Sequence, residues 1–329
     1  MRRFVRSILA CALAAPAVVG AQSAACPGGA AVNADACQKA IDLDSYLLPQ
    51  LGLALAGGNP VLGSSKVLGK LGHFNVGLRG TVFNGGLPQL DNVSVSTTGA
   101  TASDIHVKKQ YLGGPGVDAE IGLWGGIPVG VTHVGSVDAL VSFIYIPDFN
   151  SKDNGGGGGG GGGDNGNLKF QSHTKFGFGA RVGLIDESVV IPGVSVAYLK
   201  RGLPAVDVTS NPSNATVSLN GLGIDVSTWR IMATKSLVAF ALSVGYGGDS
   251  YKASGSLTAG TNGVASTVSL DQTINRNNWF ADLTINLGPA HLGFEYGGVS
   301  GGSINTVNTF DPAASASRTY YSAGLRFGW

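Results

Sequence analysis

Charge is scarce in this chain. Asp, Glu, Lys and Arg make up 12% of its 329 residues, where a water-soluble domain carries about a quarter. No basic run is present to suit nucleic acid or an anionic membrane surface, so a nucleic-acid partner is excluded. Long hydrophobic runs are missing as well. Beyond the first 21 residues nothing reaches the ~18 apolar residues of a spanning helix, and the nearest approach, SLVAFALSVGYGG, is short and β-like. A helix-bundle membrane protein is therefore excluded. Cysteine is limited to three residues, with no His/Cys/carboxylate constellation behind them to hold a metal.

Glycine (53 residues) and apolar side chains (43%) are what the chain has in quantity. The opening MRRFVRSILACALAAPAVVGAQ has a basic start, an apolar stretch and a small-residue exit, as in a secretory leader cut after Ala21. Residues 1–21 are therefore set apart. Arg2, Arg3 and Arg6 leave with them, so 18 basic residues face 20 acidic ones. Cys11 leaves too, and Cys26 and Cys37, close together in an exported chain, are expected to form a local disulfide. A lipid anchor at Cys26 is disfavoured, because SAAC lacks the large aliphatic residue three places upstream.

From about His73 the apolar residues recur with a period of two, the period of a strand. FNVGLRGTV puts Phe74, Val76, Leu78 and Val82 on one face and Asn75, Arg79 and Thr81 on the other. About ten such segments are present, each near the ~9–11 residues that cross a bilayer at a tilt. Connections at 84–116, 147–169, 200–225, 247–274 and 298–318 are long, and those at 127–133, 185–193, 234–237 and 288–290 are short. Long and short alternate, as in transmembrane barrels with short periplasmic turns and long outer loops. The expected fold is all-β: a closed antiparallel up-and-down transmembrane β-barrel over 73–329, of about ten strands within a range of 8–14. Extended hairpins around Ala215–Leu222 and Ala253–Val268 are read as either extra strands or loop extensions beyond the bilayer.

The non-apolar face carries Arg79, Asp118, Glu120, Asp138, Lys175, Arg181, Arg230, Asp282, Glu295 and Arg326, five acids against five bases. A charge-balanced polar interior within an apolar exterior suits such a barrel. Phe83, Tyr145, Trp229, Tyr246, Trp279 and Tyr296 fall near strand ends, where interfacial girdles sit. Trp124 breaks the alternation, and Gly125-Gly126 marks a bulge there.

The closing TYYSAGLRFGW resembles the C-terminal assembly signal of bacterial outer-membrane β-barrel proteins, with Tyr321, Leu325, Phe327 and Trp329 at alternate places. That resemblance implies outer-membrane lipids and the barrel-assembly machinery as partners, and the outer membrane of a diderm bacterium, reached by Sec-type export, as the location. Residues 22–72 lack the barrel rhythm. They read as a short helix interrupted at Pro49, then a Gly-rich stretch, lying in the lumen as a plug or extending into the periplasm. GLALAGGNP resembles the N-terminal hatch of the long-chain fatty-acid transporter family, with Asn59-Pro60 matching and Val61 in place of that family's alanine.

Little else carries chemistry. DNGGGGGGGGGDNGN (153–167) has no Gly-Lys-Ser/Thr ending and reads as a loop tip rather than a phosphate loop. His73, His106, His133, His173 and His291 make no catalytic spacing, and His291 beside Glu295 reads as lumen hydrogen bonding. Neither enzymatic activity nor a cofactor is expected. Ten strands lie near the limit at which side chains fill the interior. The function expected is a narrow or plugged passive channel for a small or apolar solute. The alternative is a structural or surface-interaction barrel with a closed lumen and working outer loops.

Overall fold

The computed structural model describes residues 31–63, 66–89, 96, 98–145, 167–210, 215–261 and 264–328. The leader, Cys26, the run of glycines and Trp329 lie outside them, and so does the expected pairing of Cys26 with Cys37. One helix, α1 (Ala31–Ala56), precedes ten long strands. These are β1 (Phe74–Pro88), β2 (Val107–Trp124), β3 (Ser136–Tyr145), β4 (Thr174–Ile185) and β5 (Gly193–Ser210), then β6 (Ala215–Ser236), β7 (Phe240–Thr261), β8 (Val264–Leu287), β9 (Ala290–Val299) and β10 (Arg318–Gly328).

Each strand pairs antiparallel with the next, and β10 returns to β1 from Asn75↔Gly328 to Phe83↔Tyr320. The ring is a closed up-and-down barrel without a free edge. Three small pieces decorate it. Asn167–Phe170 extends the wall beside β5, Ile127–Val129 and Thr132–Val134 form a hairpin below β2, and Asp104–Ile105 bridges Thr309–Phe310 across two outer loops.

Sidedness follows from what each face meets. Along β1 the pattern alternates as far as Gly85, with Val76 and Leu78 exposed and Asn75, Arg79 and Thr81 buried. In the same way β8 exposes Trp279 and Leu283 while burying Asn278 and Asp282. Exposed apolar side chains and buried charged ones invert the arrangement of a soluble protein, and the solvent that rewards this is lipid. Tyr198, Trp229, Tyr246, Trp279, Tyr296 and Tyr321 stand outward near one level, and Trp279, Tyr296 and Tyr321 touch in series at 5.5 and 5.2 Å between ring centroids. The wall is that of a membrane-spanning barrel, its apolar belt turned to lipid.

Several sequence expectations change. Most of the spans 200–225 and 247–274 is strand rather than loop: β5 to β8 run 18, 22, 22 and 24 residues, β5 reaching Ser210, β6 starting at Ala215, β7 reaching Thr261 and β8 starting at Val264. At ~3.4 Å per residue such strands far outreach a ~30 Å hydrocarbon layer, even when tilted. Above the aromatic level the sidedness reverses. Tyr251, Ala253, Leu257, Leu270 and Ile274 point inward and are buried, while Lys252, Ser254, Thr267 and Ser269 point outward and are exposed. The outer third of the wall is therefore patterned like a water-soluble barrel. Phe83 also differs from expectation. It neighbours outward Val82, so the pleat turns it into the lumen, where it is 1% exposed. The irregularity near Trp124 is a register shift between Gly122 and Trp124, just before Gly125-Gly126.

The helix is not interrupted at Pro49. It runs for 26 residues through that proline, which removes one backbone donor. The surrounding wall keeps the turn in place. Gln50 accepts from Gly86 N at 2.8 Å and donates to Gly86 O at 3.2 Å, while Leu48 packs among Ile144, Ile224, Val226 and Tyr251.

Candidate functional site

The helix lies inside the ring, touching β1, β2 and β5 to β8. Its first turns sit at the outer end. Asp35 accepts from Ser96 N and Thr101 N of the first outer loop at 2.7 and 2.8 Å, and Asp42 accepts from Asn308 N and Nδ2 of the last one at 2.7 and 2.6 Å. Cys37 packs on Leu257, Val268 and Leu270 near the tips of β7 and β8. Further along, Gly52 meets the flat of the Tyr251 ring, where a Cβ would collide with the ring carbons. Leu53 reaches the apolar cluster of Phe83, Leu140, Leu199, Met232 and Phe280 at mid-barrel.

The helix stops there for local reasons. Gly57 takes φ +58°, which favours glycine, and its N–H bonds to Leu53 O at 3.1 Å. That turn leaves the last carbonyls of α1 facing the wall, at the negative end of the helix dipole. Three arginines meet these carbonyls and the ones that follow. Arg201 donates to Ala56 O at 2.9 Å and Pro60 O at 2.8 Å, and Arg230 donates to Gly57 O and Gly58 O, both at 3.0 Å. Arg79 donates to Asn59 O at 3.2 Å, and the Asn278 amide adds a further bond to Gly57 O at 3.0 Å.

Carboxylates hold the arginines and the intervening amides. Arg201 pairs with Asp118 at 2.8 Å and Arg230 with Asp249 at 2.6 Å. Glu295 accepts Gly58 N at 3.1 Å and Asn59 N at 2.5 Å, and the Asn59 side-chain amide donates to Asp282 at 2.6 Å. Asn59 Oδ1 accepts Val61 N at 3.0 Å, turning the chain downward. Residues 57–60 are thus gripped from five strands at once, and we call this the latch.

A second grip follows nearer the periplasmic end. Arg326 donates to Leu62 O at 3.0 Å, Arg181 to Lys66 O at 2.6 Å, and Asp138 accepts Leu68 N and Gly69 N at 2.9 Å each. Glu120 bridges Arg181 and Arg326. Wall glycines give the segment room. A Cβ at Gly293 would lie 2.9 Å from Gly63 N, and one at Gly324 3.2 Å from Leu62 Cδ2. The space freed by these inward glycines is occupied by the N-terminal segment.

Of the ten wall charges expected to face inward, nine are buried in these two grips. Lys175 stands apart, half-exposed and 3.4 Å from Asp225 above the latch. Arg201 and Asp249, central to the latch, escaped sequence reading because they fell in supposed loops. Asn59 and Pro60, singled out by the hatch resemblance, lie within the latch. Among the histidines, His291 Nδ1 is 2.9 Å from Asn286 Oδ1, and His106 shares an outer pocket of about 540 Å³ with Asp104, Lys109 and Asp311. Among the described residues no group of three metal-ligating side chains converges.

No protein-family model matches the chain, and no curated protein matches it. Solved structures give distant likenesses. The Escherichia coli outer membrane protease OmpT shares 9% identity over 81% of this chain and 100% of its own, with a TM-score of 0.34. The Ralstonia pickettii toluene transporter TbuX shares 11% over 83% and 92%, at 0.28. Ail, the attachment invasion locus protein of Yersinia pestis, shares 8% over 79% and 100%, at 0.24. Scores this low carry no argument about activity.

Proposed function

We propose that the protein is a plugged passive conduit for a small or apolar solute, with residues 57–60 as its gate and no chemistry of its own. The observation that carries this reading is the latch. Wall side chains hold the end of α1 through hydrogen bonds and ion pairs, contacts that water can replace, rather than through the backbone pairing that closes the ring. An apolar solute is favoured by what lies above it, where Ile224, Val226, Tyr251, Ala253 and Ile274 line the outer lumen. Engagement of the barrel-assembly machinery through Tyr321, Leu325 and Phe327 belongs to the same proposal.

A second reading has its own support. The outer parts of β5 to β8 rise beyond the membrane with a Ser- and Thr-rich exterior, a surface available to a partner outside the cell. Planar-bilayer conductance separates the two. The refolded full chain is expected to be silent, and a variant lacking residues 22–63 to show steady steps. A deletion variant that keeps heat-modifiable migration yet stays silent sinks the conduit and leaves the surface barrel.

A further inference from the structure

Two arginines stand outside both grips. Arg276 on β8 and Arg318 on β10 flank the last residues of β9, where Asn278 pairs with Val299 and Val299 with Arg318. Both point into the outer lumen, 3% and 7% exposed. Each makes one hydrogen bond to a backbone carbonyl, Arg276 to Ala316 O at 2.7 Å and Arg318 to Asn84 O at 3.0 Å. Among the described residues neither forms an ion pair. Arg276 Nε and Nη1 and Arg318 Nε and Nη2 are buried without a hydrogen-bond partner.

The pair is not neutralised from nearby. The two guanidiniums repel each other, and Asp249, the acid within electrostatic reach of Arg276, is engaged by Arg230, Asn278 and Tyr251. Asp42 on the facing helix is taken by Gln38 and Asn308. Asp311 lies on the surface beside Lys109. The Tyr46 hydroxyl, on the helix side, faces Arg318. Buried like charges with free donors are costly unless something satisfies them.

We propose that Arg276 and Arg318, with Tyr46 opposite, form a binding site for an oxyanion entering from outside the cell, a carboxylate or a phosphate group. Guanidiniums offer planar paired donors that suit either. The last outer loop roofs the site: Arg276 holds it at Ala316, and Phe310 stacks on Tyr46 at 4.5 Å. Nothing in the proposal requires the latch to open, so it stands or falls apart from the conduit.

Equilibrium dialysis of the refolded full chain against labelled inorganic phosphate and, separately, labelled butyrate tests it, with chloride matching ionic strength. Saturable binding of about one ion per chain is expected, and the arm that binds tells phosphate from carboxylate. Arg276→Gln and Arg318→Gln should each weaken it at least about tenfold, while Arg318→Lys should weaken it less. At a ligand concentration near the wild-type Kd, the thermal midpoint should rise more in the wild type than in either glutamine variant. Absence of binding in both arms overturns the site, as does binding unchanged in the two glutamine variants. Should those variants fail to regain heat-modifiable migration, the wild-type dialysis alone decides.

Discussion

Glu295 gathers two consecutive backbone amides onto one carboxylate, and Arg230 gathers two consecutive carbonyls onto one guanidinium. Removing either leaves buried partners unpaired, at a cost of about 3 kcal/mol. Glu295→Ala is therefore expected to lower the unfolding midpoint in denaturant and to let the lumen flicker open in a bilayer. Glu295→Gln keeps an acceptor and should cost less. Asp44 acts through pH. It lies in the outer half of α1, next to Ser45, which accepts a hydrogen bond from Gln272 of the extended β8. Burial pushes its carboxyl from 3.8 up to about 6. The folded chain thus holds this proton more tightly than the unfolded chain, so the stability it supplies is full below about pH 4 and is lost as pH rises through 6. Asp44→Asn is expected to stabilise the protein at pH 7 by roughly 3 kcal/mol. Parallel thermal melts at pH 4 and pH 7 should show the variant's advantage only at the higher pH, and an equal advantage at both would refute the assignment.

At the scale of elements, α1 depends on its glycines more than on its propensity. Gly52→Val should keep the helix from seating, since the Tyr251 ring occupies the space a side chain would need. Gly57→Ala forces an alanine into φ +58°, at about 1 kcal/mol. Both variants should pair their strands normally but lose protection in the lumen, read as faster amide exchange over residues 46–62. How much of this was legible differs from element to element. The membrane strands announce themselves because lipid demands an apolar residue at every second place, as in Phe74, Val76 and Leu78. Above the aromatic level that demand ends. Lys252 and Ser254 carry no outward apolar signature, so the outer parts of β5 and β7 read as long connections or hairpin extensions of them, and Arg201 and Asp249 were lost there. Pro49 misled for another reason. A helix walled in on several sides can lose one internal bond and keep its course, which local sequence does not record.

The whole molecule is two barrels in one wall. The lower part has a polar filling and an apolar coat, and the upper part has an apolar filling, supplied by α1, and a polar coat. The upper part should therefore fail without the helix. A variant lacking residues 22–63 is expected to be cut by trypsin after Lys252 under conditions where the full chain resists, while the membrane-embedded strands stay intact. Resistance of both forms would show that the extension holds itself together.

The direction of α1 sets an order of events. Its first turn lies beyond the outer face of the membrane, and the chain descends from it to meet β1 near the periplasmic side, where β10 completes the ring. A helix about 10–12 Å across with its side chains, bonded around its circumference to the wall, has no room to thread through a finished ring. Seating α1 and closing the seam between β1 and β10 are therefore expected to be coupled, and a chain lacking residues 22–63 should close its ring at a different rate from the full chain, read as the rate at which heat-modifiable migration appears.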